Sequence, residues 1–270
     1  MLGQDLLPAF AGHDVTGLGS RDVDLRDAGK ILDQVQKAHP DWIILSAAHT
    51  DVDGCEADSE KAFAINRDGA VNVANAALQA GSGLLFVSTD YVFDGTKRAP
   101  YEIGDHRNPI NVYGQSKAEA ETNLIEMLPN KCCIVRTSWL FGTGGKCFPD
   151  TILRLAKTRS EMRVVDDQRG CPTYTVDLAK AIADLAAKKT HGVVHATNRG
   201  NCSWYEFARE VLAAKNSRTV VRPTTTAEFP RPAKRPAYSV LSDTSLRNLG
   251  ISLPPWQDAL QRYLAARNGE

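Results

Sequence analysis

The sequence lacks a long apolar run. No stretch approaches the roughly 20 residues that a membrane-spanning helix needs, and no signal peptide is visible in it. It also lacks an excess of either charge. Its 32 Lys and Arg balance 32 Asp and Glu, so overall charge gives no reason to expect nucleic acid or a membrane surface as partner. Its six cysteines include no C-x-x-C pair, and Cys132 and Cys133 sit side by side in an apolar run. That usage reads as reduced core thiols of a cytoplasmic protein. Internal repeats, low-complexity tracts and inter-domain linkers are absent. Gly142-Thr-Gly-Gly145 is followed by no Gly-Lys-Ser/Thr, so it reads as a bend and not as a phosphate loop.

What is present is alternation. The 270 residues suffice for one large domain, or for one domain with a smaller lobe. Short apolar strands alternate with longer helical patterns, which predicts a doubly wound parallel sheet. The spacing predicts strands at 13–18, 42–45, 84–87, 132–139, 164–165 and 193–196. It predicts helices at 26–38, 58–80, from 113, and 174–187. Ser203-Trp-Tyr-Glu206 has the form of a capping box, and Trp256 opens a terminal helix. Gly69 is expected to give close packing against the sheet. Asp51, Asp53, Glu56, Asp58 and Glu60 crowd one segment, which reads either as a solvated region of helix N-termini or as a cation site.

The chain is organised around STDYVFDGTKRAPYEIGDHRNPINVYGQSK, residues 88 to 117. An apolar strand delivers Ser88-Thr89-Asp90, a long polar loop follows, and a helix opens with Tyr113 and Lys117. Residues at i and i+4 share one helix face. A free tyrosine titrates near pH 10, and an adjacent ammonium favours its phenolate. Thr89 adds a hydroxyl that can hold a carbonyl oxygen beside the phenol. A proton donor and an orienting donor aimed at one oxygen suit carbonyl reduction. The competing reading is a half-buried tyrosine at a helix start with an exposed lysine.

The segments STDYVFDG, NVYGQSKAEAE and IVRTSWLFG resemble the extended short-chain dehydrogenase/reductase family, and within it the dTDP-4-dehydrorhamnose reductase branch. SAAHTDVDGCE, FAINRDGAVNVA, DQRGCPTY and RPAYSVLS extend the resemblance over almost the whole chain. It implies a Rossmann-like doubly wound parallel sheet with a smaller C-terminal lobe. Residues 1–144 would form the dinucleotide-binding domain. Residues 145–270 would form mainly the substrate-binding lobe, interleaved with the last strands of the main sheet. Of the family's Gly-x-x-Gly-x-x-Gly turn only the tail, Leu2-Gly3, is present. The first strand is missing, and a gap in the middle of the sheet is therefore expected. An internal methionine recorded as the start is one explanation; a true fragment is the other.

The resemblance assigns catalysis to Thr89, Tyr113 and Lys117. Cofactor binding would fall to Leu2, Gly3, Asp24, Leu25, Ala47, Ala48, His49 and Thr50, again with Tyr113 and Lys117. A structural role would equally explain His49. Asn66 would brace the active-site strand. Thr89, Asp90 and Trp139 would touch the sugar, with plain core packing as the alternative for Trp139. The implied cofactor is NADPH or NADH. Arg21 after Gly19-Ser20 leans towards NADPH, since guanidinium suits a 2′-phosphate, while a solvated turn explains it as well. Arg169 and the stiff loop Pro230–Pro236 could face a diphosphate or solvent. Mg2+ is an additional candidate ligand. The implied activity is reduction of a dTDP-4-keto-6-deoxy sugar at C4, with a homodimer as the assembly considered. A related epimerase or dehydratase and a non-catalytic dinucleotide-binding subunit remain as rivals.

Overall fold

Apolar runs at four places in the chain pair into one parallel sheet. The protein was examined as a computed structural model that describes residues 1–267. Its first half contains α1 (Leu2–Ala9), α2 (Ala28–Ala38), β1 (Trp42–Leu45), α3 (Val52–Ala57), α4 (Ser59–Phe63), a π-helical turn (Ala64–Asp68) and α5 (Gly69–Ala80). There follow β2 (Gly83–Thr89), a 3-10 turn (Asp90–Val92), α6 (Val112–Met127), β3 (Cys132–Thr137) and β4 (Leu140–Phe141). The second half contains α7 (Phe148–Ala156), β5 (Glu161–Val165), β6 (Arg169–Gly170), β7 (Thr173–Tyr174), α8 (Thr175–Ala187) and β8 (Gly192–His195). It ends with β9 (Cys202–Ser203), α9 (Trp204–Ala213), β10 (Val220–Thr224), α10 (Thr244–Asn248) and α11 (Trp256–Ala266).

The main sheet has the order β1-β2-β3-β8, every pair parallel. Side chains alternate across it. Leu84, Phe86, Cys132 and Ile134 face α2, α5 and α6, packing on Ile31, Val35, Val73, Ala77 and Leu124. Leu85, Cys133 and Val135 face α1 and α8, packing on Leu2, Leu6, Leu178, Ile182 and Leu185. Both faces are thus covered, which is why β2 and β3 read as continuous apolar runs. A second core gathers Phe141, Ile152, Met162, Tyr174, Phe207, Trp256 and Tyr263 from the C-terminal elements.

Two expectations about the sheet are corrected. Residues 13–18 form no strand, and Val15 and Leu18 are exposed. A strand is held by backbone hydrogen bonds to a neighbour, and this segment pairs with none of the described strands. No gap opens in the middle of the sheet either; β1, β2, β3 and β8 are contiguous, and β1 is an edge strand.

The helix expected over 58–80 is interrupted by the π-helical turn, with Asp58 capping α4 by accepting from the Lys61 backbone N–H at 3.0 Å. Gly69 packs against the 24–26 loop and not against the sheet; a Cβ there would lie 2.7 Å from the Leu25 Cβ. The capping box is present, Ser203 Oγ accepting from Glu206 N at 3.0 Å and Glu206 Oε2 from Ser203 N at 2.8 Å.

Candidate active site

Strand β2 ends at Thr89, and the 3-10 turn carries the chain towards the start of α6. Asn111 caps that helix, its Oδ1 accepting from Gly114 N at 2.7 Å. Gly114 permits close approach. A Cβ there would sit 2.1 Å from the Tyr91 carbonyl oxygen, so only glycine lets α6 open directly against the turn. This contact brings the Tyr113 phenol beside the Thr89 hydroxyl, which acts on it. The Tyr113 ring meets Tyr91 edge-on, with centroids 6.0 Å apart. Burial pushes the Tyr113 phenol well above its ordinary range, while the Thr89 bond opposes that shift. The phenol is therefore held protonated at neutral pH, the form a proton donor requires.

Lys117 lies one turn further and is fully buried. Its Nζ donates to the Val87 carbonyl at 2.8 Å and lies 3.7 Å from the centre of the Phe86 ring. Burial pushes its ammonium down to about 7, with Glu121 pulling the other way. Lys117 shares a helix face with Tyr113, yet its hydrogen bond goes to the strand and not to the phenol. The depression of the Tyr113 pKa expected from its neighbour is not seen; burial raises it, and Thr89, not Lys117, acts against that rise.

Behind these groups lies a buried ion cluster that the sequence reading missed. Glu121 accepts from Arg136 at 2.7 and 3.0 Å, from Arg107 at 3.2 Å and from Ser88 Oγ at 2.6 Å. Arg136 is 3% exposed and Glu121 fully buried. The spacing of Glu121 four residues after Lys117 was the available signal, because both then occupy the same face of α6.

Asn66, on the π-helical turn, ties two parts of the site together. Its Oδ1 accepts from His49 N at 2.7 Å, and its Nδ2 donates to His49 O at 3.1 Å and to Ser116 Oγ at 3.0 Å. Ser116 Oγ donates in turn to the Tyr113 carbonyl at 2.8 Å. A π turn displaces side chains from the helical register, and here it aims a buried amide at the segment after β1. That segment, Ser46 to Thr50, lies at the carboxyl edge of the sheet, with Ala47 and Thr50 exposed. Gly3 faces it, its absent Cβ 3.8 Å from Ser46 Oγ.

Small residues beside a helix start, with Tyr113 and Lys117 opposite, fit a dinucleotide whose backbone-hugging half needs room. Leu2 instead turns its side chain into the core. Asp24 is exposed and pairs with Arg26 at 2.6 Å, whose guanidinium holds its carboxyl down at about 2. The Leu25 carbonyl accepts from Asn72 Nδ2 at 2.9 Å.

Asp90 is 2% exposed, and both its oxygens are engaged, Oδ1 by Thr89 and Oδ2 by Ser239. It faces the site through those hydroxyls. Trp139 adopts a left-handed φ of 48° and stacks on Trp204 with centroids 3.5 Å apart. That conformation is costly for an aromatic residue and clusters at functional sites.

The acidic segment consists of caps and ion pairs. Asp51 caps α3, Asp58 caps α4, and Glu56 accepts from Val112 N at 2.8 Å. Asp53 takes Arg231 at 2.6 Å and Arg235 at 2.5 Å, so the basic loop's arginines are held by this carboxylate. Their guanidiniums hold the Asp53 carboxyl well below its usual range. Among the described residues no group of three or more His, Cys, Asp or Glu could hold a metal ion. Arg169 pairs with Glu206 at 3.1 Å.

Comparison with known proteins agrees with this geometry. Residues 1–268 match the RmlD substrate binding domain family. The spore coat polysaccharide biosynthesis protein SpsK of Bacillus subtilis is 40% identical over 258 residues, covering 96% of this chain and 90% of that protein. The dTDP-4-dehydrorhamnose reductase of Sinorhizobium fredii is 38% identical, covering 94% and 89% of the two chains. The crystal structure of dTDP-4-dehydrorhamnose reductase from Bacillus anthracis, in complex with NADP, superposes with a TM-score of 0.95 at 38% identity, covering 98% and 95%. The chain belongs to the RmlD substrate-binding-domain family.

Proposed function

We propose that this protein reduces the C4 carbonyl of dTDP-4-dehydro-6-deoxy-L-mannose to give dTDP-L-rhamnose, with NADPH or NADH as the reductant. The single observation that carries the reading is the meeting of Thr89, at the carboxyl end of β2, with Tyr113 at the start of α6, and Lys117 buried one helical turn along. The relatives named for this reaction support the substrate class. When bound, the nicotinamide supplies a hydride to the carbonyl carbon. Tyr113, held protonated, donates its proton to the oxygen as negative charge develops there. Thr89 holds that oxygen within reach. Lys117 would supply charge that stabilises the phenolate left behind and would hold the ribose hydroxyls of the bound cofactor. Asn66 fixes His49 and Tyr113 relative to each other, so the reductant and the acid meet in register. All six cysteines are free and buried, as in a reducing compartment, and we place the enzyme in the cytoplasm.

The test is oxidation of NADPH and of NADH with the dTDP-4-keto-6-deoxy sugar by wild type and Tyr113→Phe. The phenylalanine variant is expected to lose turnover by at least about a hundredfold, the contribution of a positioned proton donor, while binding cofactor normally. Substantial residual turnover refutes the assignment of Tyr113.

A further inference from the structure

The one proton of the Thr89 hydroxyl is wanted both by Asp90, 3.1 Å away, and by the carbonyl oxygen of the proposed reaction. A hydroxyl carries one donor proton and two acceptor sites. Tyr91 N donates into Thr89 Oγ1 at 3.2 Å, Asp90 Oδ1 lies 3.1 Å away, and the Tyr113 phenol adjoins the same hydroxyl. An ionised Asp90 is an acceptor only, so it would take the single Thr89 proton. Thr89 would then present a lone pair to the incoming carbonyl oxygen, and two acceptors would face each other. A neutral Asp90 donates through Oδ1 into Thr89 instead. Thr89 then accepts twice, from Tyr91 N and Asp90, and its own proton turns towards the phenol and the carbonyl oxygen.

We propose that Asp90 is a positioning residue whose neutral form makes the enzyme competent, by setting the direction in which Thr89 donates. This rests on the reductase reading above. The surroundings favour the neutral acid. Asp90 is 2% exposed, and no ion pair to it occurs among the described residues. The titratable groups facing it are the phenols of Tyr91 and Tyr113 and the thiol of Cys171, none of them cationic. Arg235, whose charge acts on Tyr91, is paired with Asp53. Burial raises the Asp90 carboxyl to about 7, against the bonds from Ser239 and Thr89, which favour the carboxylate.

The experiment compares wild type, Asp90→Asn and Ser239→Ala. The amide of D90N can offer its carbonyl to Ser239 and an N–H to Thr89, the pattern of the neutral acid. Its kcat at mildly acidic pH is expected to fall by less than the about hundredfold that losing one oriented donor costs. Its alkaline limb should lack the Asp90 ionisation and retain only that of Lys117. Removing the Ser239 hydroxyl takes away a bond that favours the carboxylate, so S239A should move the wild-type limb to higher pH.

A fall in kcat of about a hundredfold in folded D90N at every pH would show that the carboxylate itself is needed, and would overturn the proposal. So would an S239A limb that stays in place. A rise in KM alone would return Asp90 to a sugar contact and equally overturn it. Carbon-13 NMR of aspartate-labelled protein, assigned with D90N, reads the titration without substrate. A midpoint near neutrality is expected, and one in the ordinary carboxylate range overturns the proposal even where turnover is found. Absence of wild-type turnover with either nicotinamide removes the reductase reading and leaves the NMR result to judge the protonation of Asp90.

Discussion

Replacing Glu121 by Gln tests whether the ion cluster behind the site holds the fold. The carboxylate is fully buried and compensates Arg136, whose side chain is 3% exposed. The amide keeps the shape and one acceptor oxygen, so Ser88 can still donate to it. It cannot neutralise a guanidinium stripped of water. Removing one member of such a buried pair costs about 3–5 kcal/mol, because the remaining charge is left uncompensated. For a chain of about this size each kcal/mol moves Tm by roughly 2–4 °C. The expected fall is therefore roughly 6–20 °C, read by calorimetry or circular dichroism. A second effect has a defined sign. Glu121 supports the Lys117 ammonium, so its loss lowers that pKa further and moves the alkaline limb of activity to lower pH. A Tm within about 2 °C of wild type would refute the claim that this carboxylate is ionised and needed.

Asp53→Asn should free the loop that Arg231 and Arg235 anchor. The expected outcome is faster tryptic cleavage after Lys234 in otherwise native protein, since Arg231 and Arg235 each precede a proline that blocks trypsin, and an unchanged digestion pattern would contradict the anchoring role. Asp90 also predicts a pH dependence of stability. Its folded pKa is raised, so the stability it contributes is full below the ordinary carboxylate range and is lost as pH rises through about 7. The wild-type melting temperature should therefore decline across that window more steeply than that of D90N, and parallel curves would argue against a raised pKa.

The sheet and the catalytic helix were legible because their signals are local. The run before Ser88 is buried on both faces, and Tyr113 and Lys117 are bound to share a face of any helix that contains both. Asn66 could be placed as a brace, but the π turn that aims it leaves no mark in hydropathy. Residues 13–18 look like a strand by composition, yet a strand exists only with a neighbour, and pairing is a property of the fold. Asp53 reads as one acid among five, because its arginine partners lie near the other end of the chain. Asp90 is the hardest case. Nothing in the sequence distinguishes a carboxylate turned to a sugar from one buried between two hydroxyls.

The bonds that close the site also join remote parts of the chain. Asp53 reaches Arg231 across 178 positions, Asp90 reaches Ser239 across 149, and Asn111 Nδ2 reaches the Lys234 carbonyl across 123. During synthesis the catalytic strand and helix emerge well before the segment that fastens them. Contacts of such long separation are slow to form, and the early-made part has to wait with its acid and phenol unsecured. Ribosome-bound chains halted before Arg231 would then hold a largely formed sheet and no working active site. Competence would arrive with the last forty residues, as a late event in the life of each molecule.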